Sequence, residues 1–272
     1  LKKPLLIIFT LFLFFPLYWM ATGSLADSHG VLAFPPRIFP SHPTLLNYRI
    51  ILGSGDYIRW IGNTSYIWIL GSGLMLLITF TAGYVFSVFK KFRFVRIAYL
   101  LVLFTLMIPR YSMIISQAKM VHFFGLNGTL IAAMLPTIFS PGGVFLTKNY
   151  IDRIPISIIE CARVDGVRER RIIRSIIFPI CRPLVAFMMI MHSLTVLGDY
   201  LWQNIILHDP KKYTYIVGLV HTMMRRGGTE IGISPIGIQL AGGVLMFLPM
   251  LLIFLLFQRQ FTAGIGEGAI KE

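Results

Sequence analysis

Six runs of mostly apolar residues divide this chain, each long enough or nearly long enough to cross a lipid bilayer as a helix. A helix rises about 1.5 Å per residue, so about 20 residues cross the roughly 30 Å hydrocarbon layer. The runs are Leu5 to about Met20, Ile61 to Phe89, Ile97 to Ile115, Thr129 to Leu146, Ile176 to Leu197 and Ile236 to Phe257. The expected fold is therefore an all-α polytopic membrane protein with six transmembrane helices. Composition agrees, since charged residues make up 13% of the chain, about half the share usual in soluble domains. With hydrophobic residues at 56%, intrinsic disorder is excluded. Two cysteines, Cys161 and Cys181, are too few for a secreted disulfide scaffold.

The runs are not plain anchors. Pro109, Pro136, Pro141, Pro179, Pro183 and Pro249 lie in or beside them. Prolines are tolerated in membrane helices when neighbours or cavities satisfy the carbonyls they free. The pattern predicts a packed bundle around a path. Thr22 to Trp60, with Pro35, Pro36, Pro40 and Pro43, reads as a long extramembrane connection. A removable signal peptide is the competing reading of the first run, but no clean small-x-small cleavage site follows it. The chain opens at Leu1, and the first span is expected to run longer than these residues. Three parts are expected: 1–60, the first helix and a periplasmic connection; 61–258, a five-helix core carrying a cytoplasmic loop at 149–175; and 259–272, a cytoplasmic tail.

Charge sets the orientation. With the N-terminus in the cytoplasm, fifteen Lys and Arg residues fall in cytoplasmic parts, from Lys2 and Lys3 through Lys90–Arg96 and Lys148–Arg174 to Arg259 and Lys271. Nine fall on the other side. Basic loops stay inside, so both termini are expected in the cytoplasm of a bacterial inner membrane. This accounts for much of the net charge of +14 without a nucleic-acid partner. Both cysteines then lie near the reducing side, where a disulfide is not expected.

Asn149 to Pro183 is too polar to span and too patterned for a loose loop. Pro155 suits the first turn of a helix, and Ile156–Val164 can complete about two and a half turns. Gly166 suits the left-handed residue that ends it. Asp165 is expected to cap a second helix over Val167–Phe178. That helix carries Ile172, Ile173, Ile176 and Ile177 on one face and four arginines on much of the rest. Spacing alone leaves two readings: an interfacial helix on anionic lipid, or an element docking a cytosolic protein.

The residues themselves carry a resemblance. Glu160-Cys161-Ala162-Arg163-Val164-Asp165-Gly166, followed by Ile177-Phe178-Pro179 and Arg182-Pro183, resembles the signature loop E-A-A-x-x-D-G of permease subunits in binding-protein-dependent ABC importers. Phe145-Leu146, Ile154-Pro155 and the tail from Phe254 to Lys271 resemble the carbohydrate-uptake branch that contains the maltose permeases. So does Asn47-Tyr48-Arg49, with Asn63-Thr64-Ser65 opening the second span. Among maltose-type pairs the chain is similar to the smaller, six-span partner. Cys161 stands where the pattern has Ala, and Leu197-Gly198-Asp199-Tyr200-Leu201-Trp202-Gln203 departs from the usual Trp-Asn-Asp turn while keeping the Asp.

The resemblance implies the type I importer permease fold, with a cytoplasmic coupling helix between spans four and five. Glu160, Cys161, Ala162, Arg163, Asp165 and Gly166 would dock a cytosolic ATP-binding subunit, with Glu160 as the acidic contact to a basic residue there. The bland reading of Glu160 is a solvated surface acid. Gly268, Ala269 and Lys271 would reach the interface between the ATP-binding subunits; a frayed terminus is the alternative. Asp199, Tyr200 and Trp202 would lie on the pathway or the periplasmic side. The implied partners are a second homologous permease, two ATP-binding subunits, an extracytoplasmic solute-binding protein and membrane lipid.

The chain does no ATP chemistry of its own, because it has no GxxxxGK[ST] phosphate loop. No cofactor is expected on it; ATP and Mg belong to the partner subunits. It also has no HExxH-type zinc spacing, and no metal site is expected. On the outer side, nine basic residues face five acidic ones. That weakly favours an anionic oligosaccharide, or docking of an acidic binding protein. Two other classes compete: an ion-gradient-driven secondary transporter, and a noncatalytic membrane docking or assembly subunit. Neither accounts for the loop and the tail together.

Overall fold

The computed structural model describes residues 2–27, 38–226 and 235–269. Pro35, Pro36, Glu230 and Lys271 lie outside the described residues. The described chain is helical. In order it forms α1 (Lys2–Ser24), α2 (Leu46–Leu52), α3 (Tyr57–Val88), α4 (Arg93–Leu106), a 3-10 turn (Arg110–Met113) and α5 (Ile114–Phe123). Then follow α6 (Leu130–Ile138), α7 (Pro141–Ile151), α8 (Ile156–Val164) and α9 (Glu169–Ile180), whose middle winds as a π-helix over Ile173–Ile177. The last helices are α10 (Arg182–Gly198), α11 (Tyr200–Ile206), α12 (Tyr215–Arg226) and α13 (Pro235–Ala269).

Among the described residues, three helices are each long and apolar enough to cross a membrane: Pro4–Ser24 of α1, all of α3, and Pro235–Gln258 of α13. The other three expected spans are not straight. Arg93–Leu106 and Arg110–Phe123 bend by 98°, Leu130–Ile138 and Pro141–Ile151 by 42°, and Glu169–Ile180 and Arg182–Gly198 by 82°. If each bent pair counts as one span, the total reaches six. The reason for the breaks is local. Pro109, Pro141 and Pro183 sit at them, and proline, which has no amide to donate, is accommodated at the start of the helix after each break. Ser140, before Pro141, is extended at φ −117° and caps α7 by accepting from the Gly143 amide. Gly125 and Gly128 take φ +67° and +72°, as the turn between α5 and α6 requires.

Two compact units divide the chain. The first holds residues 1–63 and 209–251. In it the Asn47 side-chain amide donates to the carbonyls of Ser24 and Ala26, at 2.9 and 3.0 Å. The Ser24 carbonyl is one that the end of α1 leaves without a helical donor, and Ala26 lies two residues beyond it. Asn63 does the same for the extended segment at Tyr213, donating to its carbonyl at 2.8 Å.

The second unit holds residues 64–208 and 252–272. Its core joins Met75, Phe80 and Tyr84 of α3 to Ile151 of α7, Ile159 and Ala162 of α8, Ile172 and Ile177 of α9, and Leu184 and Met188 of α10. The short α8 is thus part of this core. In α3, 44% of the most apolar window is buried, against 6% in α1 and 11% in α13. Those two helices turn broad apolar faces outward, which a soluble protein does not sustain and lipid or a neighbouring subunit covers.

Candidate functional site

The residues singled out between Glu160 and Gly166 fall on α8 and the turn that ends it. Pro155 precedes the first helical residue at φ −55°, and its missing amide is one that a helix start leaves unpaired anyway. At the other end Gly166 takes φ +74°. The Val167 amide donates to the Ala162 carbonyl at 3.0 Å, and the Gly166 amide to Arg163 at 3.0 Å. These two bonds form the Schellman arrangement that closes a helix on a left-handed glycine. Asp165 is not the cap of the following helix. It closes α8 with φ −70° and ψ 4°, and Arg168 stands at the start of α9. Two residues after Gly166 are needed to reverse the chain, which moves the second helix start from Val167 to Glu169.

The burial of α8 is one-sided. Ile159 and Ala162, one turn apart, pack into the core at 1% and 7% exposure. Glu160, Cys161, Asp165 and Gly166 are exposed, and Val164 is 87% exposed. Ile156 and Ile158 are exposed too. The outward face is a small mixed surface: two carboxylates, Glu160 and Asp165, set among Ile156, Val164 and the thiol of Cys161.

Arg163 behaves differently from its neighbours. It turns back across the Gly166 turn, and its Nε donates to Glu169 Oε1 at 2.6 Å. Its guanidinium also lies over the Phe89 ring, 5.4 Å from the centroid. The hydrogen bond to Glu169 is the main reason its pKa is pushed up. The same Glu169 carboxylate accepts from the hydroxyl of Tyr84, a buried residue of α3. So α8, α9 and α3 are tied at one carboxylate. Sequence reasoning missed Glu169 and Tyr84. Local spacing offers no signal for a partner six residues away, or for one 85 positions earlier.

A second carboxylate stands near the same ends of α3 and α7. Asp152 accepts from Ser87 at 2.8 Å, Lys148 at 2.6 Å and Lys90 at 3.3 Å. Partial burial opposes its ionisation, but these three hydrogen bonds outweigh burial and hold the carboxyl below its ordinary value.

Asp199, Tyr200 and Trp202 gather elsewhere in the second unit. They follow the C-terminal end of α10, whose 17 residues put them about 25 Å from its start. Asp199 is 1% exposed and pairs with Arg110 at 2.5 Å. Arg110 follows the break after α4, and Asp199 the end of α10, so one ion pair joins two chain breaks. Tyr200 opens α11 and is half-buried. Trp202 is buried at 2% exposure, and its Nε1 donates to the carbonyls of Ala132 and Ala133 at 3.2 Å each. Pro136, four residues after Ala132, has no amide to offer it. The indole supplies the donor that the proline removed. Gly268 and Ala269 end α13, while Lys271 lies outside the described residues. Among the described residues no cluster of three or more His, Cys, Asp or Glu side chains could hold a metal ion.

Residues 76–266 match the family described as binding-protein-dependent transport system inner membrane component. The galactooligosaccharides transport system permease protein GanQ of Bacillus subtilis (strain 168) is 31% identical over 268 residues, covering 94% of this chain and 90% of that protein. The arabinooligosaccharides transport system permease protein AraQ of Halalkalibacterium halodurans is 32% identical over 233 residues, covering 85% and 81%. Among solved structures, a chain of a bacterial ABC transporter involved in import of the acidic polysaccharide alginate superposes with a TM-score of 0.81 at 19% identity, covering 96% of this chain and 95% of that one. A chain of the MetNI methionine ABC transporter gives 0.56 at 15% identity, with 76% and 94% covered.

Proposed function

The chain belongs to the family of binding-protein-dependent transport system inner membrane components, and we propose that it is one of two membrane subunits of an ATP-driven oligosaccharide importer. The observation that carries this is the construction of α8. A helix of nine residues is anchored by Ile159 and Ala162, closed on Gly166, and clamped through Arg163 and Glu169 to α9 and α3. Its outward face keeps Glu160 free of any ion pair among the described residues. A rigid helix that spends its internal contacts on one side and offers a carboxylate on the other suits docking to a moving partner.

In this reading α8 is the cytoplasmic coupling helix, and Glu160 meets a basic cleft residue of the ATP-binding subunit. ATP closes two such subunits. Their approach displaces the coupling helices of both permeases and turns the shared cavity outward, where a solute-binding protein delivers the saccharide. Hydrolysis and reopening turn the cavity inward. Ligands at both faces bias one two-state equilibrium, so each raises the other's effect. Both termini lie in the cytoplasm of the bacterial inner membrane, the tail through Gly268, Ala269 and Lys271 meets the ATP-binding pair, and the chain is the smaller, maltose-type partner. ATP and Mg are bound by the partners.

The substrate is a neutral oligosaccharide, as the names of the relatives suggest for galactooligosaccharides and arabinooligosaccharides. The outer basic surplus favours an acidic oligosaccharide instead, as does the alginate importer of like fold. Against that reading, Arg110 already has Asp199 as its counter-ion.

The test is co-expression with neighbouring genes and purification in mild detergent. A second permease and an ATPase should co-purify, with ATP turnover raised by one saccharide-loaded binding protein. Glu160→Lys should abolish ATPase capture while leaving the permease pair together. Flux in liposomes under an ion gradient, with no ATPase partner, would make the chain a secondary transporter. Capture of an ATPase without any flux would make it a docking or assembly subunit.

A further inference from the structure

α9 and its junction with α10 carry charge that the docking face of α8 does not use. Arg170, Arg171 and Arg174 lie along α9, Arg182 opens α10, and all four are exposed. None of them forms an ion pair among the described residues. The acids nearby are engaged elsewhere or stand on another element. Glu169 is bonded to Arg163 and Tyr84. Glu160 lies on α8 and Asp165 closes it, and neither pairs with these arginines. The outward side of α9 is thus basic without internal compensation.

The winding of α9 keeps this charge apart from the core. Ile172 and Ile177 are both at 0% exposure, although residues five apart do not share a face of an α-helix. The π-helix over Ile173–Ile177 bonds each residue to the fifth one on and returns the two isoleucines to one side. At the end of α9 next to α10, Phe178 and Ile180 are 36% and 41% exposed. Arginines therefore give way to apolar side chains toward the span.

The bend sets the depth at which these groups lie. After Arg182, α10 has no Asp, Glu, Lys or Arg through Gly198, and its 17 residues measure about 25 Å, most of the roughly 30 Å hydrocarbon layer. α9, Glu169–Ile180, meets it at 82°. A helix of that span is about 18 Å long. At 82° it moves only about 2.5 Å along the axis of α10, and less than about 10 Å if α10 tilts by the usual 20° or so. The headgroup layer is itself about 5–8 Å deep. So α9 lies along the membrane surface, where a straight continuation of α10 would carry Arg170 clear of it.

We infer that Arg170, Arg171, Arg174 and Arg182 form a docking surface for the phosphate headgroups of anionic phospholipid, which hold α9 flat against the bilayer. Guanidinium groups pair with phosphate through two parallel hydrogen bonds. Each basic residue near an anionic leaflet adds about fivefold in affinity. An acidic face of a soluble protein fits less well, because it would have to enter the headgroup layer to reach the same charges. The surface goes beyond the importer reading and needs from it only that α10 crosses the bilayer. Its effect on transport rests on that reading: Glu169 ties α9 to α8 through Arg163, so lipid that steadies α9 gives α8 a fixed base.

The test uses the full complex, both permeases with the ATPase subunits, in vesicles of phosphatidylcholine and phosphatidylglycerol in equal parts. In a Cys161→Ala background, Ser175→Cys places an exposed thiol next to Arg174 for a bimane label, while Cys181 is buried and stays unlabelled. Phosphatidylglycerol with a nitroxide near its glycerol backbone should quench the label at least fivefold more efficiently than phosphatidylcholine carrying the same group. Arg171→Gln with Arg174→Gln should remove most of that preference, and Arg171→Lys with Arg174→Lys should keep most of it. Salt near 1 M, where screening acts within about 3 Å, should weaken it. Saccharide moved per ATP should fall at least threefold in phosphatidylcholine alone, and the double Gln variant should show that fall in the mixed vesicles. Equal quenching by the two lipids, or none by either, would overturn the docking surface. A preference that appears only after the ATPase subunits are stripped would assign the arginines to the ATPase and overturn it as well. A clear preference with no change in saccharide per ATP would overturn the part of the lipid in coupling. A chain that captures no ATPase and moves no saccharide, yet keeps the quenching preference, defeats the importer reading and supports the lipid surface, so the two failures are told apart.

Discussion

Arg163 and Glu169 meet across the Gly166 turn, Nε to Oε1 at 2.6 Å, and Tyr84 of α3 donates to the same carboxylate. The pair is not a strong staple. The two side chains are 34% and 43% exposed, and ion pairs of that exposure contribute about 0–1 kcal/mol. What the triad ties together is α8, α9 and a long helix, the geometry that α8 would transmit if it is the coupling helix proposed above.

Glu169→Ala should therefore separate stability from coupling. Thermal unfolding of the purified complex should change by less than about 1 kcal/mol. On the proposed coupling role, saccharide moved per ATP hydrolysed should fall severalfold, because a freed α8 would follow a docked ATPase without carrying α3. Tyr84→Phe should give a smaller drop in the same ratio. An unchanged ratio in Glu169→Ala, measured in liposomes, would show that the triad transmits nothing.

Gly166→Ala tests the turn by itself. At φ +74° an L side chain meets the following carbonyl, at a cost of roughly 1–2 kcal/mol. The alanine variant should lose about that much stability, and Gly166→Asn should lose less because Asn tolerates the left-handed region. Amide exchange at Val167, whose bond to Ala162 depends on the turn, should speed up in the same order. Equal exchange in all three chains would place the turn's stability elsewhere.

What could be read from the sequence divides along the range of the forces involved. The bounds of α8 follow from Pro155 and Gly166 alone, because a missing amide and a positive φ act on their own neighbours. The apolar runs are legible for the same reason. The bends of 98°, 42° and 82° are not, since proline marks a break but packing sets its angle. Asp165 was expected to start a helix; it ends one, because the left-handed glycine needs two further residues to reverse the chain. Pairs such as Tyr84 with Glu169, Arg110 with Asp199 and Trp202 with Ala132 join positions 70 to 89 apart. Only the fold brings them together.

Asp152 gives a dependence on pH. Its folded carboxyl titrates below the ordinary 3.8 because the bonds from Lys148, Ser87 and Lys90 outweigh the effect of burial. A lowered folded value adds stability that is complete well above 3.8 and drains away as pH falls through the folded value. Stability of the complex should include a component that is flat near neutral pH and declines on acidification below about pH 4. Asp152→Asn should remove that component, so its curve should run lower at neutral pH and converge with wild type in acid. Parallel curves would mean that another carboxylate carries the decline.

The sharpest test of the packing concerns Trp202 and Pro136. The indole of Trp202 donates to Ala132, whose usual helical donor is the amide that Pro136 lacks. Trp202→Phe keeps most of the ring but removes the donor, leaving a buried carbonyl unpaired at a cost of about 1–3 kcal/mol. Pro136→Ala returns an amide to the helix and should by itself have a small effect, since the carbonyl already has a partner. In the double variant the restored amide satisfies Ala132 without the indole. Its loss should fall short of that of Trp202→Phe alone, a coupling of about 1 kcal/mol or more in a double-mutant cycle. Strict additivity of the two changes, measured by denaturant or thermal unfolding in the same detergent, would mean that Trp202 acts through its bulk and that its hydrogen bond contributes nothing.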